Sequence, residues 1–128
     1  MSVTIEGILR LPCLREAKVL AGREALGRTV SSVTVLEYSA ANTLQERIFS
    51  SLAFYGSEIV ITAFANAVDS VDTQCTNISM LAEAGEVGLI LYYVGIILPK
   101  VDQRLIYLAD SLDFVLICMP ENRYDLRY

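Results

Sequence analysis

VGLILYYVGIILP (residues 87–99) is a proline-terminated run whose first twelve residues are uncharged and mostly apolar, with Glu86 before it and Lys100 after it. Read as a membrane span, a cofactor slot or the middle of a soluble sheet, it implies three different proteins. A spanning helix needs about 20 apolar residues. This run is shorter and is interrupted by Gly88 and Gly95. Its first half, 87–93, is rich in β-preferring side chains, and Gly95 and Pro99 punctuate the second half. It reads as a buried strand followed by a loop.

The neighbouring segments give that strand its context. Upstream, EIVITAF (58–64) is a second nearly all-apolar strand, and 67–85 carries the stripe Val71, Cys75, Ile78, Ala82 of a helix capped by Asp69 or Ser70 and stopped by Gly85. Downstream, the stripe Val101, Leu105, Leu108, Leu112 predicts a helix over 101–112, and FVLICM (114–119) is a further strand. Strands that are apolar on both faces and alternate with helices predict a parallel sheet with right-handed crossovers. The first half of the chain is more broken. Thr4 caps a short helix over 5–11 that Pro12 stops, AKVLAG (17–22) is a short strand, and TVSSVTVLE (29–37) alternates as a strand. Residues 39–54 read as a helix with Leu44, Ile48 and Leu52 on one stripe and Gly56 at its end. The expected fold is α/β, a mainly parallel sheet of about four to five strands with helices on both faces, forming one domain over 1–128.

Composition removes whole classes of chemistry. The chain has no histidine, so Ser-His-Asp and Cys-His arrangements are impossible and the commonest general base is missing. Cys13, Cys75 and Cys118 have no CxxC spacing, and they read as buried reduced thiols. No catalytic residue, metal site or cofactor is expected. There is no GxxxxGK[ST] and no GxGxxG after a strand. The net charge of −5, without a Lys/Arg cluster, argues against direct nucleic-acid binding. MSVTIEG lacks the basic and apolar regions of a signal peptide, so a cytoplasmic, non-membrane protein is expected.

In open α/β sheets ligands bind outside the carboxyl ends of the strands. Glu37, Thr62, Phe64, Tyr93, Glu121 and Asn122 fall at or near those ends and form the candidate ligand site. Glu58, Glu86 and Asp113 open or precede strands and belong at the opposite edge. Tyr55, Tyr92, Tyr93, Tyr107 and residues 94–98 exceed the apolar surface that a small sheet needs inside, which points to a homodimer face.

Four segments in order, AKVLAGREALGRTVSSVTVLE (17–37), GSEIVIT (56–62), LAEAGEVGLIL (81–91) and LPKVDQRLIYLADSLDFVLICMP (98–120), resemble the N-terminal domain of PucR-type purine catabolism regulators. Gly22, Gly27, Arg28 and Val30 match that family's "AG…G…R.V" turn. Glu37 matches the glutamate closing its second strand, and Gly56, Glu58 and Thr62 match its "GELVLT" segment. The acidic residue that usually comes after the strand-closing glutamate is replaced within SAAN (39–42), and 42–55 is more helical than the family's usual connection. The layout also resembles the DRTGG domain and the N-terminal domains of HPr kinase and the Mur ligases.

The resemblance implies a regulatory N-terminal domain that senses a purine-related effector, assembles as a homodimer, or both. DNA is then bound only through a domain outside this chain, which is expected to be a piece of a longer regulator. The alternative drawn from the more distant resemblance is a substrate-positioning or structural domain of an enzyme. The gene beyond the codon for Tyr128 separates the two: a helix-turn-helix there marks the regulator and a P-loop the enzyme.

Overall fold

A computed structural model describes residues 3–35, 56–64, 67–92, 94–95 and 97–119. The chain opens with β1 (Val3–Thr4) and α1 (Ile5–Leu9), and the Thr4 hydroxyl caps α1 by accepting the Gly7 N–H at 3.1 Å. A 3-10 turn, Pro12–Leu14, leads to β2 (Lys18–Ala21), and a second one, Arg23–Ala25, to β3 (Thr29–Val30) and β4 (Ser32–Val35). Then come β5 (Glu58–Thr62), α2 (Val71–Glu83), β6 (Gly88–Leu91), α3 (Gln103–Ser111) and β7 (Val115–Cys118).

Among the described residues, five strands form one sheet in the order β2-β7-β6-β5-β4. β4, β5, β6 and β7 are parallel, while β2 runs antiparallel along β7. β1 and β3 form a separate antiparallel pair. The fold is therefore the expected α/β type. The segment 87–93 holds the central strand β6, hydrogen-bonded on both sides. The single strand expected over 29–37 is split at Ser31, whose N–H leaves the ladder to bond the Ser57 carbonyl at 2.7 Å. The helix expected over 39–54 lies outside the described residues.

Alternation within the central strands builds two cores. Val60, Leu89, Leu91 and Leu116 point to one face and pack with Ile78 and Leu81 of α2 and Leu105 and Ala109 of α3. Ile59, Ile90, Val115 and Ile117 point to the other, where Ile5 of α1, Leu14 and Ala25 cover them. Fully burying such a side chain contributes roughly 1.5–3 kcal/mol, and that is why these runs lack the polar alternation of a half-exposed sheet. β5, β6 and β7 lie side by side in chain order and parallel, so two crossovers of the same hand place α2 and α3 on the same face.

Both helix stripes are rotated from the apolar reading. α2 buries Gln74, Asn77, Ile78 and Leu81, whereas Val71, Cys75 and Ala82 are half-buried. α3 buries Leu105 and Ala109 and leaves Leu112 exposed. The cause on α2 is its neighbour: the Cys75 flank faces α3, with the Asp72 carboxylate on that side bonding Arg104. The opposite flank, with Gln74 and Asn77, turns inward.

Cys13 corrects another expectation. The 3-10 turn that buries Leu14 points Cys13 outward, so it is exposed rather than buried. Cys75 and Cys118 are half-buried free thiols, each held above its ordinary pKa by burial and so far from a reactive thiolate. No helix among the described residues is long and apolar enough to cross a membrane.

Candidate functional site

At the carboxyl edge, two of the predicted site residues are in view. Thr62 ends β5, and its hydroxyl accepts the Phe64 N–H at 3.1 Å. Phe64 holds a left-handed backbone, φ 55°, a conformation that costs a residue with a side chain about 1–3 kcal/mol. Its ring, however, is buried in the helix-side core, so it is packing and not an exposed platform. The turn continues with the Ala67 N–H donating to the Phe64 carbonyl at 2.9 Å, and the Gln74 Nε2–H donating to the Ala67 carbonyl at 2.8 Å. Thr62 and Phe64 are thus brought together. Glu37, Tyr93, Glu121 and Asn122 lie outside the described residues.

Two neighbours were not foreseen. Gln74 (2% exposed) and Asn77 (5%) sit one turn apart on the inward flank of α2. Gln74 Oε1 and Asn77 Nδ2 are buried and have no hydrogen-bond partner among the described residues. Leaving a buried amide group unpaired costs about 1–3 kcal/mol. One is an acceptor and the other a donor. Periodicity of apolar residues could not reveal them, because the signal of a buried polar pair is the absence of apolar character at an inward position.

The amino edge holds a second group. Glu58 (5% exposed) opens β5 and Glu86 (1%) precedes β6. The Glu58 Oε2 atom accepts Ser32 Oγ–H at 2.5 Å and Thr34 Oγ1–H at 2.9 Å, and the Glu58 N–H donates to Glu86 Oε1 at 3.3 Å. Burial first, and then the adjoining Glu58 side chain, pushes the Glu86 carboxyl up to about 7. The sequence places both acids at this edge but shows them only as separate strand openers.

A third feature is a cleft of about 530 Å³ lined by Leu20, Ala21, Gly22, Arg23, Glu24, Asp110 and Asp113. An adjoining hollow of about 480 Å³ adds Arg28. Here the turn after β2 meets the end of α3. The Gly22 N–H donates to Asp110 Oδ1 at 2.7 Å, and Arg28 Nη1–H donates to the Asp113 carbonyl at 2.9 Å. Arg23 is turned back onto the Val19 carbonyl at 2.8 Å. Gly22 and Arg28 thus tie the exit of β2 to the α3–β7 connection. No group of three or more acids or cysteines that could hold a metal is found among the described residues.

Neither the curated proteins nor the solved structures gave a match to this chain. The model of the purine catabolism regulatory protein-like family, PucR, does match, over residues 7–126. That span takes in the Gly22–Arg28 turn, the Glu58–Thr62 strand and every strand of the five-stranded sheet. The chain belongs to the PucR purine catabolism regulatory protein-like family.

Proposed function

We propose that this chain is the effector-sensing and assembly domain of a PucR-type regulator of purine or nitrogen catabolism, acting in the cytoplasm. DNA is contacted by another part of the protein, in keeping with the net charge of −5. The effector is a small purine-related metabolite taken at the carboxyl edge, beside Thr62 and the inward flank of α2. One observation carries this reading: Gln74 Oε1 and Asn77 Nδ2 offer an unmatched acceptor and donor at that edge among the described residues. Purines and ureides carry adjoining N–H and C=O groups, and a site built to hydrogen-bond them rejects analogues that lack them. Binding that satisfies the two amides favours one arrangement of α2 over another, which is what a sensor requires.

Thermal-shift and calorimetric titration with purines and ureides test it. A ligand present at 100 times its Kd adds about 2.7 kcal/mol of stability. The Gln74→Leu and Asn77→Leu variants should fold and lose that gain. If no such compound binds while the chain dimerises tightly, the domain assembles and does not sense. Light scattering on Tyr93→Asp then asks whether residue 93 belongs to the dimer face.

A further inference from the structure

The amino-edge acids carry an inference that does not depend on the effector. The β5–β6 ladder begins at Ile59 and Gly88, and just before it Glu58 meets the lead into β6, with the Glu58 N–H on Glu86 Oε1 and the Val87 N–H on the Glu58 carbonyl at 2.9 Å. Glu58 also reaches the edge strand. Ser32 and Thr34 are two apart on β4 and so share a face, and both hydroxyls converge on Glu58 Oε2. Glu86 Oε2 is buried with no partner among the described residues. An ionised carboxylate can only accept hydrogen bonds, so an oxygen buried against a second carboxylate is satisfied by carrying a proton of its own.

Among the described residues, Glu86 meets no counter-charge. β4 contributes neutral hydroxyls, the 56–57 turn contributes backbone groups, α2 has no basic residue in its last turn, and β6 and β7 are uncharged. Among the described residues, the charged group acting on Glu86 is Glu58.

We propose that Glu58 and Glu86 share one proton and together form a latch on the edge strand β4. With the proton in place, Glu86 donates to the Glu58 carboxylate, and Glu58 holds Ser32 and Thr34. When the proton passes to solvent, two like charges remain buried together, and β4 releases. The strand that gives way is β4 because, among the described residues, β5 is its one partner within the sheet and Val33 is 50% exposed, whereas β5 and β6 are central. The rise of the Glu86 carboxyl to about 7 places the release near neutral pH.

The test is a carbon-13 NMR titration of the glutamate carboxyls in the full chain, with amide hydrogen exchange at pH 6 and pH 8.5. The expected result is one step near neutral pH felt by both Glu58 and Glu86. After correction for intrinsic rates, the amides of 32–35 should exchange at least about tenfold faster at pH 8.5, with β6 and β7 unchanged. In Glu86→Gln, whose amide donates to Glu58 without titrating, the difference should vanish. Titration of both carboxyls below pH 5, equal β4 protection at the two pH values, or a pH effect that persists in Glu86→Gln overturns the latch. Should that variant not fold, the Ser32→Ala/Thr34→Ala double variant must already show the open β4 at pH 6, and unchanged protection there overturns it equally.

Discussion

A β-carbon built on Gly22 would stand 2.6 Å from the Phe114 carbonyl oxygen. The exit of β2 and the entrance to β7 are therefore in backbone contact, and the left-handed backbone of Gly22, φ 76°, aims its N–H at Asp110. Gly22→Ala meets both obstacles. The left-handed conformation costs about 1–2 kcal/mol, and overpacking against a backbone that cannot yield adds about 1–3 kcal/mol. Urea denaturation should show a loss of roughly 2–5 kcal/mol with an unchanged slope. A loss below about 1 kcal/mol would mean that the two strands can part without harm.

Stability should fall as pH rises through neutrality. The folded Glu86 carboxyl is raised from 4.5 to about 7, so between those values the folded chain keeps a proton that the unfolded chain gives up. Its stabilising contribution is complete below about pH 4.5 and gone above about pH 7, and its upper size is about 3 kcal/mol at about 1.4 kcal/mol per unit of pKa. The difference in unfolding free energy between the wild-type chain and Glu86→Gln, followed from pH 5 to pH 8, isolates it from the other acids. A flat difference would remove the effect.

Leu81 and Tyr107 should behave oppositely. Leu81 is fully buried between α2 and the sheet, and Leu81→Ala should cost about 2–5 kcal/mol. Tyr107, on α3, is 67% exposed, and Tyr107→Ser should stay within about 0.5 kcal/mol in thermal denaturation of the monomer. A large loss at Tyr107 that grows with protein concentration would instead mark it as part of an assembly face.

Arg104→Ala should be close to silent. Its guanidinium bonds the Asp72 carboxylate between α3 and α2, but both side chains are well exposed to solvent. Exposed pairs of this kind contribute about 0–1 kcal/mol and fade with salt. Chemical denaturation at low and high ionic strength should show a change of that size at most, shrinking at high salt.

Strands β5, β6 and β7 were legible because each is short, apolar on both faces and bounded by polar or glycine residues, as Glu58–Thr62 shows. Caps were legible too: Thr4, and Ser70 of the two candidates Asp69 and Ser70, take their N-terminal N–H groups as their side-chain chemistry suggests. The antiparallel direction of β2 was not. KVLA presents the same alternation whichever way it runs, and only its pairing of Lys18 with Cys118 settles the question. Glu58 and Glu86 were recognisable as strand openers, but their union depends on the β5–β6 register, which no local pattern encodes. Gln74 and Asn77 were hidden for a further reason: the apolar stripe beside them, Val71–Cys75–Ala82, is real but is spent on the flank facing α3.

The pairing of β2 with β7 also sets an order of events. Parallel β5, β6 and β7 can assemble stepwise from neighbouring segments, but the sheet's outermost ribbon must wait for a partner that arrives almost a whole chain later. On a ribosome this earlier-made ribbon stays without its mate until β7 emerges, so closing that border is a late and topologically expensive event in folding.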